Sequence, residues 1–221
     1  MSSTKLKSKP SAAHNLYSVG KLHNSDFRSS PQRTGDVPWE SRDTIFVGPA
    51  LANTICQCDG LVNMMSFWTF SDVFEEGGPL PKPFVGMFGL QAKGGINKPS
   101  YYGYGLLHEL GDRRIANTAT DAIVTKTAQG GLGIAVWNLI DPGKEGANQT
   151  VDLHFSHVLP QAQITIEHVD NEHGNVLPKY AAMGSPINPT PDQVEQLNRE
   201  TALPPPALLC CRSGKACLRG L

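Results

Sequence analysis

The 221 residues carry 19 lysines and arginines against 20 aspartates and glutamates, a balance that gives no electrostatic reason to bind nucleic acid or an acidic membrane surface. Apolar side chains make up 39% of the chain and 22 glycines bring it to an ordinary globular level, which excludes wholesale disorder and supplies a core for one or two domains. No apolar run reaches the roughly 18 residues of a spanning helix. The SSTKLKSKPSAAHN start has no apolar stretch behind its lysines, so no secretory leader is read and a cytoplasmic location is expected.

Residues 1–43 hold nine serines and only eleven apolar side chains without helical or alternating period, so this stretch is expected to be irregular or disordered. TIFVGPALANTICQ, from Thr44, has the composition of a buried helix, broken or kinked near Pro49. After the Asp59-Gly60 turn, LVNMMSFWTFS (Leu61–Ser71) reads as a strand buried on both faces, as in parallel sheets covered by helices. Two Gly- and Pro-rich loops follow, and SYYGYGLLHELG then spaces its apolar side chains as a helix stopped by Gly111. Strand, long loop and helix make one βα unit.

Beyond Asp112 the period changes to two. AIVTKTA, LGIAVWNL, TVDLHF and AQITIEHV follow one another as strands, with a hairpin at Gln129-Gly130-Gly131. A late helix is expected at Thr190, where Thr caps, Pro191 takes the first turn and Gln193 completes a capping box. The stretch after Pro204-Pro205-Pro206 is expected to hold no packed structure.

The five cysteines, Cys56, Cys58, Cys210, Cys211 and Cys217, fit neither a disulfide framework nor a zinc pattern, so a reducing compartment is preferred. His154 and His157, three apart on a strand, face opposite ways, and no metal or other cofactor is expected. Phosphate-loop, dinucleotide, nucleophile-elbow and zincin motifs are all missing. What remains is Trp68-Thr-Phe-Ser71-Asp72-Val-Phe-Glu75-Glu76, an aromatic and adjacent carboxylates leaving the end of a strand, where α/β sheets and barrels bind ligands. An indole covers the apolar face of a sugar ring, and carboxylates accept strong hydrogen bonds from its hydroxyls. The competing account is structural: Asp72 and Glu75 form a capping box and Trp68 is core. Tyr101, Tyr102 and Tyr104 offer either a stacking strip or more core.

Phe67-Trp68-Thr69-Phe70-Ser71-Asp72-Val73-Phe74-Glu75-Glu76, followed by Pro83-Phe84, Gly86, Phe88-Gly89-Leu90, Lys98-Pro99 and Leu106 to Arg113, resembles glycoside hydrolase family 39, the β-xylosidase family. Further on, Ala135-Val136-Trp137-Asn138-Leu139, His168-Val169-Asp170, Glu172-His173-Gly174-Asn175, Met183-Gly184-Ser185-Pro186 and Pro189-Thr190-Pro191 resemble the β-sandwich that accompanies the family's barrel. The resemblance implies an α/β plus all-β chain: residues 44–113 as the terminal portion of a (β/α)8 TIM barrel and 114–203 as a β-sandwich, with 1–43 and 204–221 unmatched. It further implies retaining hydrolysis of β-1,4-xylosyl bonds, with Trp68, Glu75 and Glu76 falling on the family's substrate-binding tryptophan and glutamates.

The family's two catalytic glutamates find no counterpart. There is no Asn-Glu-Pro motif, and upstream of Ser41-Arg42-Asp43 the chain reads Gln32-Arg33-Thr34-Gly35-Asp36 where a Thr-Glu-aromatic motif belongs. A whole barrel takes about 250 residues, so a stretch of about 70 holds at most its last two βα units. A truncated or frame-shifted, inactive copy is the expectation, with xylose or xylo-oligosaccharide as ligand and self-association through an exposed barrel edge. Other readings carried forward are α-L-iduronidase-like specificity, and a non-catalytic carbohydrate-binding or interaction sandwich.

Overall fold

A computed structural model describes residues 19–23, 38–73, 78–155, 162–210 and 216–219, with the backbone alone for 19–23, 208–210 and 216–219. Its helices and strands are mixed along the chain. Strand β1 (Val19–His23) runs parallel to β2 (Met64–Trp68), in register from Val19 opposite Met64 to His23 opposite Trp68. Between them stand a 3-10 turn (Trp39–Asp43) and helix α1 (Val47–Cys58). Pro49 lies in the first turn of α1, where its missing N–H would have had no helical acceptor, so the helix runs on without the break expected there. Residues 41–43, read as part of an irregular leader, have buried Ser41, Arg42 and Asp43 side chains.

β2 is shorter and wetter than the doubly buried strand expected. Met65 and Phe67 pack on Phe46, Val47, Ala50 and Leu51 of the α1 region. Met64 and Ser66, on the alternate face, are exposed and Trp68 at its end is half-buried, so the first part of that face is open. Leu61 and Phe70 at its two ends are also exposed.

A two-stranded hairpin of β3 (Gln91–Ala92) and β4 (Ile96–Asn97) leads into helix α2 (Pro99–His108), with Pro99 at its first position. Helices α1 and α2 touch where Gly48 meets Gly103, whose missing Cβ would stand 3.2 Å from the Gly48 Cα. Glycine at position 103 favours so close a crossing, whereas a Cβ on Gly48 would stand 3.9 Å from the Gly103 Cα, an ordinary contact.

Strands β5 (Arg113–Ile115), β6 (Ala122–Lys126) and β7 (Leu132–Val136) form an antiparallel sheet, with Gly130 at φ +87° in the β6–β7 loop. β8 (Asp152–Phe155) and β9 (Gln163–Ile166) follow. Helix α3 (Leu177–Ala182) then leads to α4 (Pro191–Glu200), which has the Thr190–Gln193 capping box read from the sequence. The tail does not stay unstructured: β10 (Ala207–Cys210) pairs with β9, and β11 (Ala216–Arg219) with β8, both antiparallel. An open strand edge offers unpaired N–H and C=O groups to an extended segment that returns to it.

A second core joins the hairpin to the last helices. Ala92 and Ile96 are buried with Val176, Tyr180 and Leu197, and Phe84 lies edge-on to Tyr180 at 4.8 Å. Asn198 of α4 stitches the hairpin from both sides, accepting from Asn97 N–H at 2.9 Å and donating to Gly95 O at 2.9 Å. The late helices thereby hold the loop that faces the exit of β2.

Candidate functional site

The backbone leaving β2 is pinned to residues 88–91. Thr69 N–H donates to Phe88 O at 3.3 Å, and Leu90 N–H to Thr69 O at 3.0 Å. Gln91 N–H then donates to Phe70 O at 2.9 Å, and Asp72 N–H to Gln91 O at 2.8 Å. The Trp68-Thr69 peptide bond within this stretch is cis. Gly89 is required here because a Cβ would run into Ser71 and Asp72 and stand 2.7 Å from Asp72 Oδ1.

Beneath the exit lies a buried ion cluster. Lys98 Nζ, at the start of α2, is 2.7 Å from Asp43 Oδ1 and 2.8 Å from Asp72 Oδ2, and none of the three side chains is more than 5% exposed. Lys98 also donates to Met87 O at 3.0 Å. Each carboxylate takes a second charge-assisted bond from a glycine: Gly86 N–H to Asp43 Oδ2 at 2.7 Å, and Gly89 N–H to Asp72 Oδ1 at 2.6 Å. Burial pushes the Asp72 carboxyl up to about 6, although the Lys98 ammonium and the Gly89 N–H pull the other way. Arg42 completes the wall, its guanidinium 4.0 Å from the Trp39 ring centroid and 4.6 Å from that of Phe88, with Nη1 donating to Gly86 O at 3.2 Å.

Chemically, this cluster is a clamp rather than a reacting group. Four segments around the exit of β2 contribute to it: the 3-10 turn through Asp43, the exit itself through Asp72, the 86–89 loop through its amides, and the start of α2 through Lys98. Both oxygens of Asp72 are engaged by Lys98 and Gly89, while Glu75, its partner in the capping box read from the sequence, lies outside the described residues. The clamp fixes the point from which residues beyond Val73 depart.

Of the sequence-predicted site residues, Trp68 is half-buried at the end of β2. Glu75 and Glu76 lie outside the described residues, between Val73 and Gly78. Tyr101 and Tyr102 line a hollow of about 250 Å³ with Leu106, Glu109, Glu167 and Leu203, while Tyr104 turns away from it and packs tilted against Phe67 at 6.1 Å. His154 is exposed on β8, and His157 lies outside the described residues. A potential metal-ligating group stands elsewhere, at His168, Asp170 and His173. Sequence reasoning missed Asp43 and Lys98 altogether, because a charged residue beside a proline or a turn reads as a solvated one. The only signal was their place inside the motifs Ser41-Arg42-Asp43 and Lys98-Pro99.

Comparison with known proteins agrees with the motifs. The model of glycosyl hydrolases family 39 matches residues 21–207. A β-xylosidase of Geobacillus stearothermophilus is 31% identical over 180 residues, covering 80% of this chain and 34% of that protein. One from Caldicellulosiruptor saccharolyticus is 26% identical over 174 residues, covering 76% and 34%. Among solved structures, a GH39 enzyme from Xanthomonas axonopodis pv. citri superposes with a TM-score of 0.68 at 25% identity, over 81% of this chain and 38% of its own. A GH39 β-xylosidase from Caulobacter crescentus gives 0.67 at 24% identity, over 86% and 40%, which speaks to the fold. The chain thus spans about a third of the length of the curated relatives it matches. With the family model running through the clamp, the exit of β2 and the later strands alike, this chain belongs to glycosyl hydrolases family 39.

Proposed function

We propose that this chain carries one wall of a β-xylosidase substrate site, on the closing βα units of a (β/α)8 barrel followed by a β-sandwich. Trp68 lies against the apolar face of a xylosyl ring, while Glu75 and Glu76, on the loop that the clamp launches, accept hydrogen bonds from its hydroxyls. The observation that carries this reading is the clamp: a buried Asp43–Lys98–Asp72 cluster with two glycine amides ties the exit of β2 to the 3-10 turn, the 86–89 loop and the start of α2. A binding wall needs that rigidity, since a loosely held aromatic loses its stacking energy to the entropy of ordering.

The reaction of the whole site is retaining hydrolysis of a β-1,4-xylosyl bond. One carboxyl protonates the leaving oxygen, and a second, about 5–5.5 Å away, forms the glycosyl-enzyme intermediate that water then opens. Adjacent residues of one loop do not flank a bond in this way, so Glu75 and Glu76 bind and orient. The two reacting carboxyls belong to parts of the family barrel that find no motif in this sequence. The chain by itself accordingly binds xylose or xylo-oligosaccharide and releases none from a chromogenic β-xyloside. The near-neutral charge balance gives no reason to bind nucleic acid, and no described helix is long and apolar enough to cross a membrane.

Xylo-oligosaccharide is expected to quench the tryptophan fluorescence of the wild type, with about tenfold weaker binding in Trp68→Ala and in the Glu75→Gln, Glu76→Gln double variant. Undiminished binding in both variants refutes the assignment. A second reading, a sandwich-associated carbohydrate-binding surface, draws on the Tyr101–Tyr102 hollow with Glu109 and Glu167 beside it. Loss of quenching in Tyr102→Ala but not in Trp68→Ala would transfer the ligand there. Leu61, Met64, Phe70 and Val73, each at least 60% exposed around β2, also favour self-association through this edge. Sedimentation as a monomer at high concentration would contradict it.

A further inference from the structure

The loop between β9 and α3 brings together three donor groups that the sugar site does not use. His168 Nε2 lies 3.1 Å from His173 Nδ1, which in turn lies 2.9 and 3.1 Å from the two Asp170 oxygens. His168 Nε2 is 3.5 Å from Asp170 Oδ2. One N–H on His173 Nδ1 would have to be shared between Asp170 and His168 Nε2, whereas a cation in reach of all three atoms would meet each of them directly.

The spacing fits such an ion. His168 Nε2, His173 Nδ1 and Asp170 Oδ2 mark a triangle with sides of 3.1, 3.1 and 3.5 Å. Its circumradius is about 1.9 Å, so an ion about 2.05 Å from each corner, the ordinary zinc–ligand distance, sits about 0.8 Å off the plane. In a regular tetrahedral site that height is about 0.7 Å, and on an octahedral face about 1.2 Å, which favours four-coordination. Two imidazoles and one carboxylate are also the donor set of zinc sites that keep a fourth position open.

The donors are held in place by the loop itself. Asp170 Oδ1 accepts from the N–H groups of Glu172 and His173, each at 2.8 Å, and Asp170 N–H donates to His173 O at 3.0 Å. Gly174, at φ +68°, turns the chain so closely that a Cβ would stand 3.1 Å from Leu203 and 3.2 Å from Tyr102, so the loop is seated on α2 and the segment after α4. The side chains of His168, Asp170 and His173 are 51%, 47% and 35% exposed, so an ion has access and water can take the remaining position.

We propose that His168, Asp170 and His173 form a binding site for a divalent transition metal of the zinc type, which clips the β9–α3 loop. The ligands are spaced by two and three residues within one loop, a pattern that a strand-based reading of histidine pairs passes over.

The test is zinc titration, by calorimetry, into the full chain with its thiols blocked by N-ethylmaleimide, with cobalt(II) as the spectroscopic probe. Expected are one zinc per chain at roughly micromolar affinity, four-coordinate cobalt bands without thiolate charge transfer, and a zinc-dependent rise in melting temperature. His168→Gln and His173→Gln should each weaken binding by about tenfold or more and abolish that rise. His168 is half-exposed, so its variant keeps the fold, and its metal-free melt should match the wild type. Zinc uptake weaker than about 100 µM in the wild type, or equal uptake by both variants, would overturn the assignment. So would binding that disappears once the thiols are blocked.

Discussion

Replacing Lys98 with methionine keeps most of the side-chain volume while removing the ammonium shared by Asp43 and Asp72, 2.7 and 2.8 Å away. Two carboxylates are then left in a site where no member of the cluster is more than 5% exposed. Removing one partner of a buried pair costs about 3–5 kcal/mol, and with two anions orphaned the upper end applies, about 4–5 kcal/mol at pH near 8. The amides of Gly86 and Gly89 still donate to one oxygen of each carboxylate and keep the cost from rising further. With a urea dependence of about 2.5 kcal/mol per molar for a chain of this size, the unfolding midpoint should fall by about 2 M.

The same variant should recover in acid. Asp72, raised to about 6 by burial even with Lys98 beside it, takes up a proton more readily once the ammonium is gone, so in acid the penalty should shrink toward the lost hydrogen bonds, about 1–2 kcal/mol. Urea melts followed by tryptophan fluorescence at the two pH values measure both numbers. A triple neutral variant, Asp43→Asn, Asp72→Asn, Lys98→Met, should regain much of the loss at pH 8. A midpoint for Lys98→Met within about 0.3 M of wild type at pH 8, or a penalty that ignores pH, would refute the clamp.

Asp72 gives the wild type its own pH signature. Its folded pKa, about 6, lies above the ordinary 3.8, so its contribution to stability is fully present below pH 3.8 and is lost as the pH rises through about 6. Between pH about 4 and about 7.5 the stability of wild type relative to Asp72→Asn should fall by about 2.5 kcal/mol; a flat difference would contradict the assignment. Gly89→Ala, whose methyl would collide with Ser71 and Asp72, should cost about 2–3 kcal/mol in urea melts and weaken xylo-oligosaccharide quenching, because the exit of β2 must move. Thr190→Ala, which removes the acceptor for Gln193 N–H, should cost about 1 kcal/mol and leave sugar binding untouched.

Local patterns were legible wherever local physics decides. The apolar run of α1, the alternation in β6 to β9, the Gly130 turn and the Thr190–Gln193 box all follow from periods and caps within a few residues, and the structure forms each of them. So did the family, since a motif such as Phe67 to Asp72 with Phe88-Gly89-Leu90 is a linear signature. The pairing of the tail as β10 and β11 was not legible, because strand pairing depends on which open edge a segment meets. Nor was the open face of β2, since burial on the second face depends on what other segments cover it.

The candidate site divides along the same line. Trp68 could be named from its neighbours alone, because an aromatic at a strand's exit is a one-dimensional observation. The Asp43–Lys98–Asp72 clamp and the His168–Asp170–His173 group could not. A charge's meaning is set by its solvation and its partner, and Asp43 meets Lys98 only after more than fifty residues of chain have folded back, while the two histidines converge through the turn that Asp170 holds with the N–H groups of Glu172 and His173. By itself the sequence determined the family, the helical and extended segments and the aromatic at the exit of β2. Tertiary structure decided which charges are buried together, because desolvation and Coulomb energy depend on distances in space that no spacing along the chain encodes.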